Sequence, residues 1–493
     1  MNRKCSPKEI AVQRIQFSML GKFKHHFEND NEASKPLFMS LFKSRESKDE
    51  ENSSSNLRKN FGIFSLGSNS LFRTPRTKTV NFSSWFPLAT SEEKTILKEA
   101  QLARNRLEQA LNNNREPEFI VLAIQGYLRY LPDLSIMVDA REKKDLQLMS
   151  YEWKSNFAVE ERFFEEKYHS FEIAMVLMTL GIMKLRMAND KFGSASEAEV
   201  NEASHHLGEA AGIFQFLRNS VLPDCIIDVG RGSPPDVHPV SADMFYSLAL
   251  GQSQQLILRR GELKGMSDGT LLKVALGVLE YYEAAEKQAA SIRGCAKPSE
   301  YLTKLAKYSS IVLKATCYYY MGKQAHSDGK HGLKVACLRA SLETLTKDRL
   351  KKINSKFRFD SLKQLANSTF QNSTNLFEEY YRQNTSVYYE REPDVGELVF
   401  LAGRSLVKMV PFALPESGID RDTIAKRLEL LKRNSIKESN SPQRLDDSQT
   451  FSDFESEQKE NDPISTGEKR LPQNRNREND TDSPSAPPSL DVE

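Results

Sequence analysis

The sequence predicts a mainly α-helical protein, with a solenoid-like core of long helices, a minor β-sheet and polar tails. Three observations carry this prediction. Between about residues 71 and 420 apolar residues recur at helical spacing almost throughout. The periodic stretches are long and the connections between them short, as in helical arrays. Both ends of the 493-residue chain then shift in composition. "KSRESKDEENSSSNLRKN" (Lys43–Asn60) and the stretch beyond about residue 430 hold too little apolar surface to offset chain entropy. The expected organisation is a disordered extension over 1–70, a helical domain over 71–420 and a disordered polar tail over 421–493.

Each element has its own signal. Thr90 and Glu93 form a capping box before "EEKTILKEAQLARNRLEQAL", whose Ile96, Leu97, Ala100, Leu107 and Leu111 share one face. Pro117 opens the next helix, which stops near Pro132. "LQLMSYEWKSNF" (Leu146–Phe157) alternates and predicts a short hairpin. Long helices follow at 159–188, 197–221, 241–261, 269–293, 298–325, 330–353 and 361–384. The carboxylate pairs Glu160–Glu161 and Glu165–Glu166 fall at the charged start of the first of these. "ATCYYYMGKQAHSDGKHGLKVACLRASLETL" reads as helix, turn, helix, with Ala315, Ala325, Ala336 and Ala340 at the packing positions.

The stretch "SHHLGEAAGIFQFLRNS" (Ser204–Ser220) asks whether adjacent histidines bind metal. They point about 100° apart around a helix and cannot share one ion, because chelation needs i and i+3 or i+4 spacing. His205 and His206 are therefore structural or solvated, and no metal or cofactor is expected. Gly212 costs its helix about 1 kcal/mol relative to Ala, which the close approach of another backbone would offset. The stretch is built for packing.

Several function classes drop out. A net charge of +2 gives no global reason for nucleic-acid binding. Five scattered cysteines without a C-x-x-C pair argue for reduced, cytosolic thiols. Cys317 lies in apolar helical surroundings that raise a thiol pKa and leave it inert. The most apolar run, "IAMVLMTLGIM" (Ile173–Met183), is shorter than the roughly 20 residues of a membrane span and predicts a buried helix in a soluble protein. No secretory signal or N-myristoylation site opens the sequence. Walker, zincin, nucleophile-elbow and kinase motifs are missing, so the expectation is a protein that is not an enzyme.

Six blocks in order resemble the Bro-one domain family, the ALIX- and BROX-like adaptors of the ESCRT pathway. They are "YEWKS" (Tyr151–Ser155), "HHLGEAAGIFQFLRNSVLP" (His205–Pro223), "SLALGQSQQLILRR" (Ser247–Arg260), the stretch Tyr301–Ser341, "SVYYEREPDVGEL" (Ser386–Leu398) and "VKMVPFALP" (Val407–Pro415). The resemblance implies a curved, largely helical body with tetratricopeptide-like core helices and a small sheet. It also implies a concave apolar groove that receives the amphipathic C-terminal helix of a Snf7-type ESCRT-III subunit, a helix-in-groove mode. Carried over by position, Ile257 and Val274 match apolar groove residues, and Arg260 and Lys273 basic ones. Glu197 keeps an acidic rim position, Asn201 replaces a Lys, and Thr270 stands where relatives carry Ile or Leu at the centre. The amphipathic pattern alone reads Ile257 and Val274 as ordinary core. Loss of one anchor weakens such a contact by about 1–3 kcal/mol.

Two further features follow from the same resemblance. Tyr388 matches an exposed-loop tyrosine that is phosphorylated in relatives, and equally reads as a packing residue after a helix end. Pro484-Ser485-Ala486-Pro487 spells a P-[ST]-A-P motif, the type that engages the ubiquitin-E2-variant domain of ESCRT-I. Its prolines favour an extended shape, which lowers the ordering cost of docking. The expected protein is a cytoplasmic adaptor or scaffold of endosomal sorting or ESCRT-dependent membrane remodelling, held transiently at endosomal membranes through partners. The alternative keeps the fold and binds a different helical partner. The closing "SLDVE" holds no prenylation box.

Overall fold

The computed structural model describes residues 74–418, apart from 87–88, 142–148, 193, 195, 226–231, 294, 297–299 and 357–359, together with Lys426, Glu429 and Leu430. The chain divides after Arg433, and the tail motif at Pro484–Pro487 lies outside the described residues.

A short turn of helix, α1 (Phe82–Trp85), leads into α2 (Ser91–Asn112), α3 (Pro117–Leu128) and α4 (Leu131–Asp139). The capping box at α2 is present. Thr90 N donates to Glu93 Oε2 at 2.7 Å and Glu93 N to Thr90 Oγ1 at 3.3 Å. Pro117 occupies the first turn of α3 as expected. Pro132 starts rather than stops: its missing N–H is no loss in the first turn of α4.

The sheet differs from expectation. Strand β1 (Tyr151–Lys154) lies inside the predicted hairpin, but its antiparallel partner β2 is Phe163–Glu166, with Tyr151 opposite Glu166 and Lys154 opposite Phe163. The helix expected from 159 therefore begins at His169, and Glu165 and Glu166 sit on a strand instead of a charged helix. "VEERFFEEKY" carries a helix-like mixture of charges and apolar residues. What makes it a strand is tertiary: Phe164 pairs with Trp153, and Lys78 and Arg162 cover the rings of Phe163 and Phe164 at 5.0 and 4.2 Å.

Helix α5 (His169–Lys191) is the axis of the body, buried at every residue from Phe171 to Leu185. No helix among the described residues is long and apolar enough to cross a membrane. Burial includes Glu172, whose Oε1 meets Arg104 Nε at 2.6 Å with both side chains fully buried, while Oε2 accepts from Trp153 Nε1 at 2.5 Å. Then come α6 (Glu197–Phe216), α7 (Pro239–Leu263), α8 (Asp268–Ser291), α9 (Glu300–Ser327) and α10 (His331–Thr344), each packed on the one before. Helix α6 ends in a wide turn, Leu217–Val221, ahead of Pro223. The α9–α10 pair is the predicted helix-turn-helix, with Ala315, Ala325, Ala336 and Ala340 all buried. The single helix expected over 330–353 is two, because Leu345 leaves helical geometry and Thr346 starts α11 (Lys347–Lys356) by accepting from Leu350 N. Helix α12 (Asp360–Gln383) packs against α10 and α9.

After a wide turn at Asn384–Tyr388 the chain becomes an extended strap, residues 389–418. It runs back over the helices in reverse order, passing Gly332 of α10, Gly277 of α8 and Gly212 of α6, and it ends where Asp133 of α4 accepts from Gly418 N at 2.9 Å. A Cβ at Gly212 would lie 1.7 Å from the carbonyl oxygen of Val410. The backbone that offsets this helical glycine is the strap.

Candidate partner-binding surface

Helices α6, α7 and α8 carry the predicted groove positions. Glu197 is exposed in the first turn of α6. One turn later Asn201, also exposed, accepts a hydrogen bond from the Arg260 guanidinium of α7, so the structure ties these two positions together. Ile257 is half-buried against the core. Thr270 and Lys273 are exposed on α8. Thr270 belongs to the helix cap: its N–H donates to Ser267 Oγ at 3.4 Å, and the two hydroxyls lie 2.9 Å apart. That role gives a physical reason for a hydroxyl residue where an aliphatic one is expected.

Val274 departs from the groove reading. It is 2% exposed and packs inward, so it supports the surface from beneath and offers no side chain to a partner. Burial at this position is what the amphipathic pattern alone implies.

The strap borders the same surface. Arg404 N donates to the carbonyl of Lys273 at 2.8 Å. The fully buried Gln254, one turn before Ile257, donates to Arg404 O at 2.6 Å and accepts from Leu406 N at 3.0 Å. The sequence reading passed over Gln254 together with Gln252, which bonds reciprocally with Asn189, and Gln255, which donates to Tyr282 OH. A signal was there: "LALGQSQQLIL" places three amides in an otherwise apolar helix, and buried amides demand partners. Leu263 and Met266 were also missed. They lie between Arg260 and Thr270 in the sequence and are 65% and 45% exposed.

His206 lies 3.0 Å from Glu209 and Lys184 2.8 Å from the same carboxylate. Burial opposes ionisation of Glu209, but hydrogen bonds from His206 and Lys184 outweigh it and hold its pKa down to about 2. His205 is exposed. Both histidines thus sit beside the Glu209 carboxylate, which Lys184 of α5 reaches from the other side. Burial pushes the Cys317 thiol far up, as its apolar setting predicts. Tyr388 shares both of its expected characters, being 46% exposed and stacked on His331 with ring centroids 3.3 Å apart.

The stacked antiparallel helices and the strap that borders them define an α-helical body of tetratricopeptide-like helix pairs. The BRO1-like domain matches residues 89–433, and the chain belongs to this family. It is 24% identical over 354 residues to "ALG-2 interacting protein X" of Dictyostelium discoideum, covering 69% of this chain and 42% of that protein. Human "BRO1 domain-containing protein BROX" is 23% identical over 366 residues, 70% of this chain and 85% of that one. The chain spans less than half the length of the first of these relatives. Among solved structures, the ALIX BRO1–CHMP4C complex superposes with a TM-score of 0.53 at 17% identity, covering 73% of this chain and 99% of that one. ALIX in complex with a viral late-domain peptide gives a TM-score of 0.58 at 17% identity, over 74% of this chain and 53% of that one. These identities show the shared fold.

Proposed function

We propose that the chain is a non-enzymatic adaptor of endosomal sorting or ESCRT-dependent membrane remodelling, which receives an amphipathic C-terminal helix of an ESCRT-III subunit on the α6–α7–α8 surface. The observation that carries this reading is the likeness to a BRO1 domain solved with CHMP4C, joined to a half-buried Ile257 and Arg260 on α7 and an exposed Lys273 on α8. Apolar anchors supply affinity and rim charges set orientation. In this chain the anchors are Ile257 with Leu263 and Met266. Pro484–Pro487 adds a second contact, to the ubiquitin-E2-variant domain of ESCRT-I, and phosphorylation of Tyr388 would act where α12 passes into the strap. Such an adaptor works in the cytoplasm and reaches endosomal membranes through its partners.

A second reading keeps the scaffold and changes the partner helix. Thr270 favours it, since a hydroxyl bonded to Ser267 replaces an apolar centre. Titration of the full chain with the C-terminal helix of a CHMP4-type subunit separates the two. Thr270→Leu is expected to tighten binding by about 1 kcal/mol through added apolar burial. No binding before or after the substitution would move the assignment to the second reading.

A further inference from the structure

We infer that the end of the helical body where α9 begins and α10 finishes docks directly on an anionic lipid surface. The turn at Asp328–Lys330 makes α9 and α10 antiparallel, and α12 runs alongside: Ser341 Oγ of α10 donates to Ala315 O of α9 and lies 2.9 Å from Ser373 Oγ of α12. The start of α9, the end of α10, the whole of α11 and the start of α12 therefore meet at one end. Over 300–313, 341–356 and 360–366 they carry eight Lys or Arg against four acids, Glu300, Glu343, Asp348 and Asp360. That is a net +4 in a chain of net +2, so the remainder sums to −2. Neighbouring α8 brings Glu283, which faces Lys314, and Lys314 lies outside this set.

The charges are presented outward. Lys307, Lys347, Arg349, Lys351 and Lys352 are exposed. Leu350 is buried beneath α11, and Arg349 NH1 donates to Thr344 O at 2.8 Å, which fixes α11 across the end of α10. Seven of the eight cations are lysines, compact point charges on flexible stems and not the planar forks that read phosphate or carboxylate bidentately. Lysines spread over three segments, the start of α9, α11 and the start of α12, suit laterally fluid anionic headgroups, each worth about 1 kcal/mol near such a surface.

The position suits an adaptor as well. Lys323, near the far end of α9, pairs with Asp268 at the start of α8 at 2.7 Å, next to Thr270. At 1.5 Å per residue, the basic end lies about 28 Å along α9 from there. A lipid contact at this end would add to recruitment through partners and leaves the α6–α7–α8 surface open.

The test is sedimentation of the full chain with vesicles of phosphatidylcholine alone or with about one third phosphatidylserine, at ~0.1 M salt where screening is moderate. Expected is pelleting with the anionic vesicles only, weakened at least about tenfold by K307E/K351E/K352E and to a lesser degree by the matching glutamine variant. Circular dichroism of the variant reports that the helices are intact. Anionic-vesicle binding that survives the triple charge reversal, or equal binding to neutral vesicles, would overturn the inference. So would tighter binding to a glutamate-rich peptide than to vesicles at equal charge concentration, lost in the same variant, because it reassigns the patch to a protein partner.

Discussion

Helix α5 and the strap hold the same body together by opposite means. Helix α5 is buried on all sides, and its side chains do the work: a run of aliphatic residues, with Glu172 neutralised by Arg104. The strap leaves many side chains in solvent, Val399 and Leu401 at 70% and 71% exposed, and is held through its backbone. Val410 N donates to Gly208 O at 2.9 Å, and Gln254 grips Arg404 and Leu406. One segment is fixed by what its residues are, the other by what its neighbours lack. The glycine notches of α6 and α8 belong to the strap's binding energy although they lie in other helices.

The largest effect is expected on the side of α5. Arg104→Met leaves Glu172 buried and unpaired and should cost about 3–5 kcal/mol, read as a lowered midpoint in urea unfolding. The double substitution Arg104→Met with Glu172→Met should recover most of that loss. Equal destabilisation by the single and double variants would mean that the ion pair is not what steadies α5.

A smaller effect belongs to the strap. Gly212→Val drives a side chain into the Val410 carbonyl and should cost about 1–3 kcal/mol. Its signature is local: limited proteolysis should cut within 399–414 while the helical signal stays. Unchanged proteolysis would show that the strap does not depend on the notch.

The smallest effect separates both regions from an ordinary buried acid. Glu262, at the end of α7, has its carboxyl pushed up to about 7 by burial, in spite of the hydrogen bond from Tyr320 OH and nearby Lys323. A raised carboxyl pKa means that the folded state holds its proton more tightly than the unfolded chain. This contribution is therefore full below about pH 4.5 and is lost as pH rises towards 7. Glu262→Gln should flatten that part of the stability profile, followed by thermal melts between pH 4 and 8. A profile equally steep in the variant would assign the slope to another group.

Much of this architecture could be read from the residues because periodicity and caps act locally. The capping box of α2, the buried α5, the small-residue packing of α9 on α10 and the packing role of Gly212 all follow from spacing and side-chain size. The β2 strand could not be read, since "FFEE" pairs only because Trp153 and the cations of Lys78 and Arg162 are brought to it. At the candidate surface on α6, α7 and α8 the basic residues and Ile257 were legible through the family blocks. The inward turn of Val274 and the exposure of Leu263 and Met266 were not, because facing depends on which neighbour covers a helix.

By itself the sequence determined the helical class, the polar ends, the apolar setting of the Cys317 thiol and the divergent directions of His205 and His206 on their helix. Each of these depends on intervals of a few residues or on composition, which need no knowledge of distant neighbours. Only the tertiary structure decided that Val410 fills the space left by Gly212, that Gln254 holds the strap beside Lys273, and that cations from three segments gather at one end. Those contacts join residues far apart in the chain, and a backbone carbonyl lodged against a glycine leaves no side-chain pattern to read.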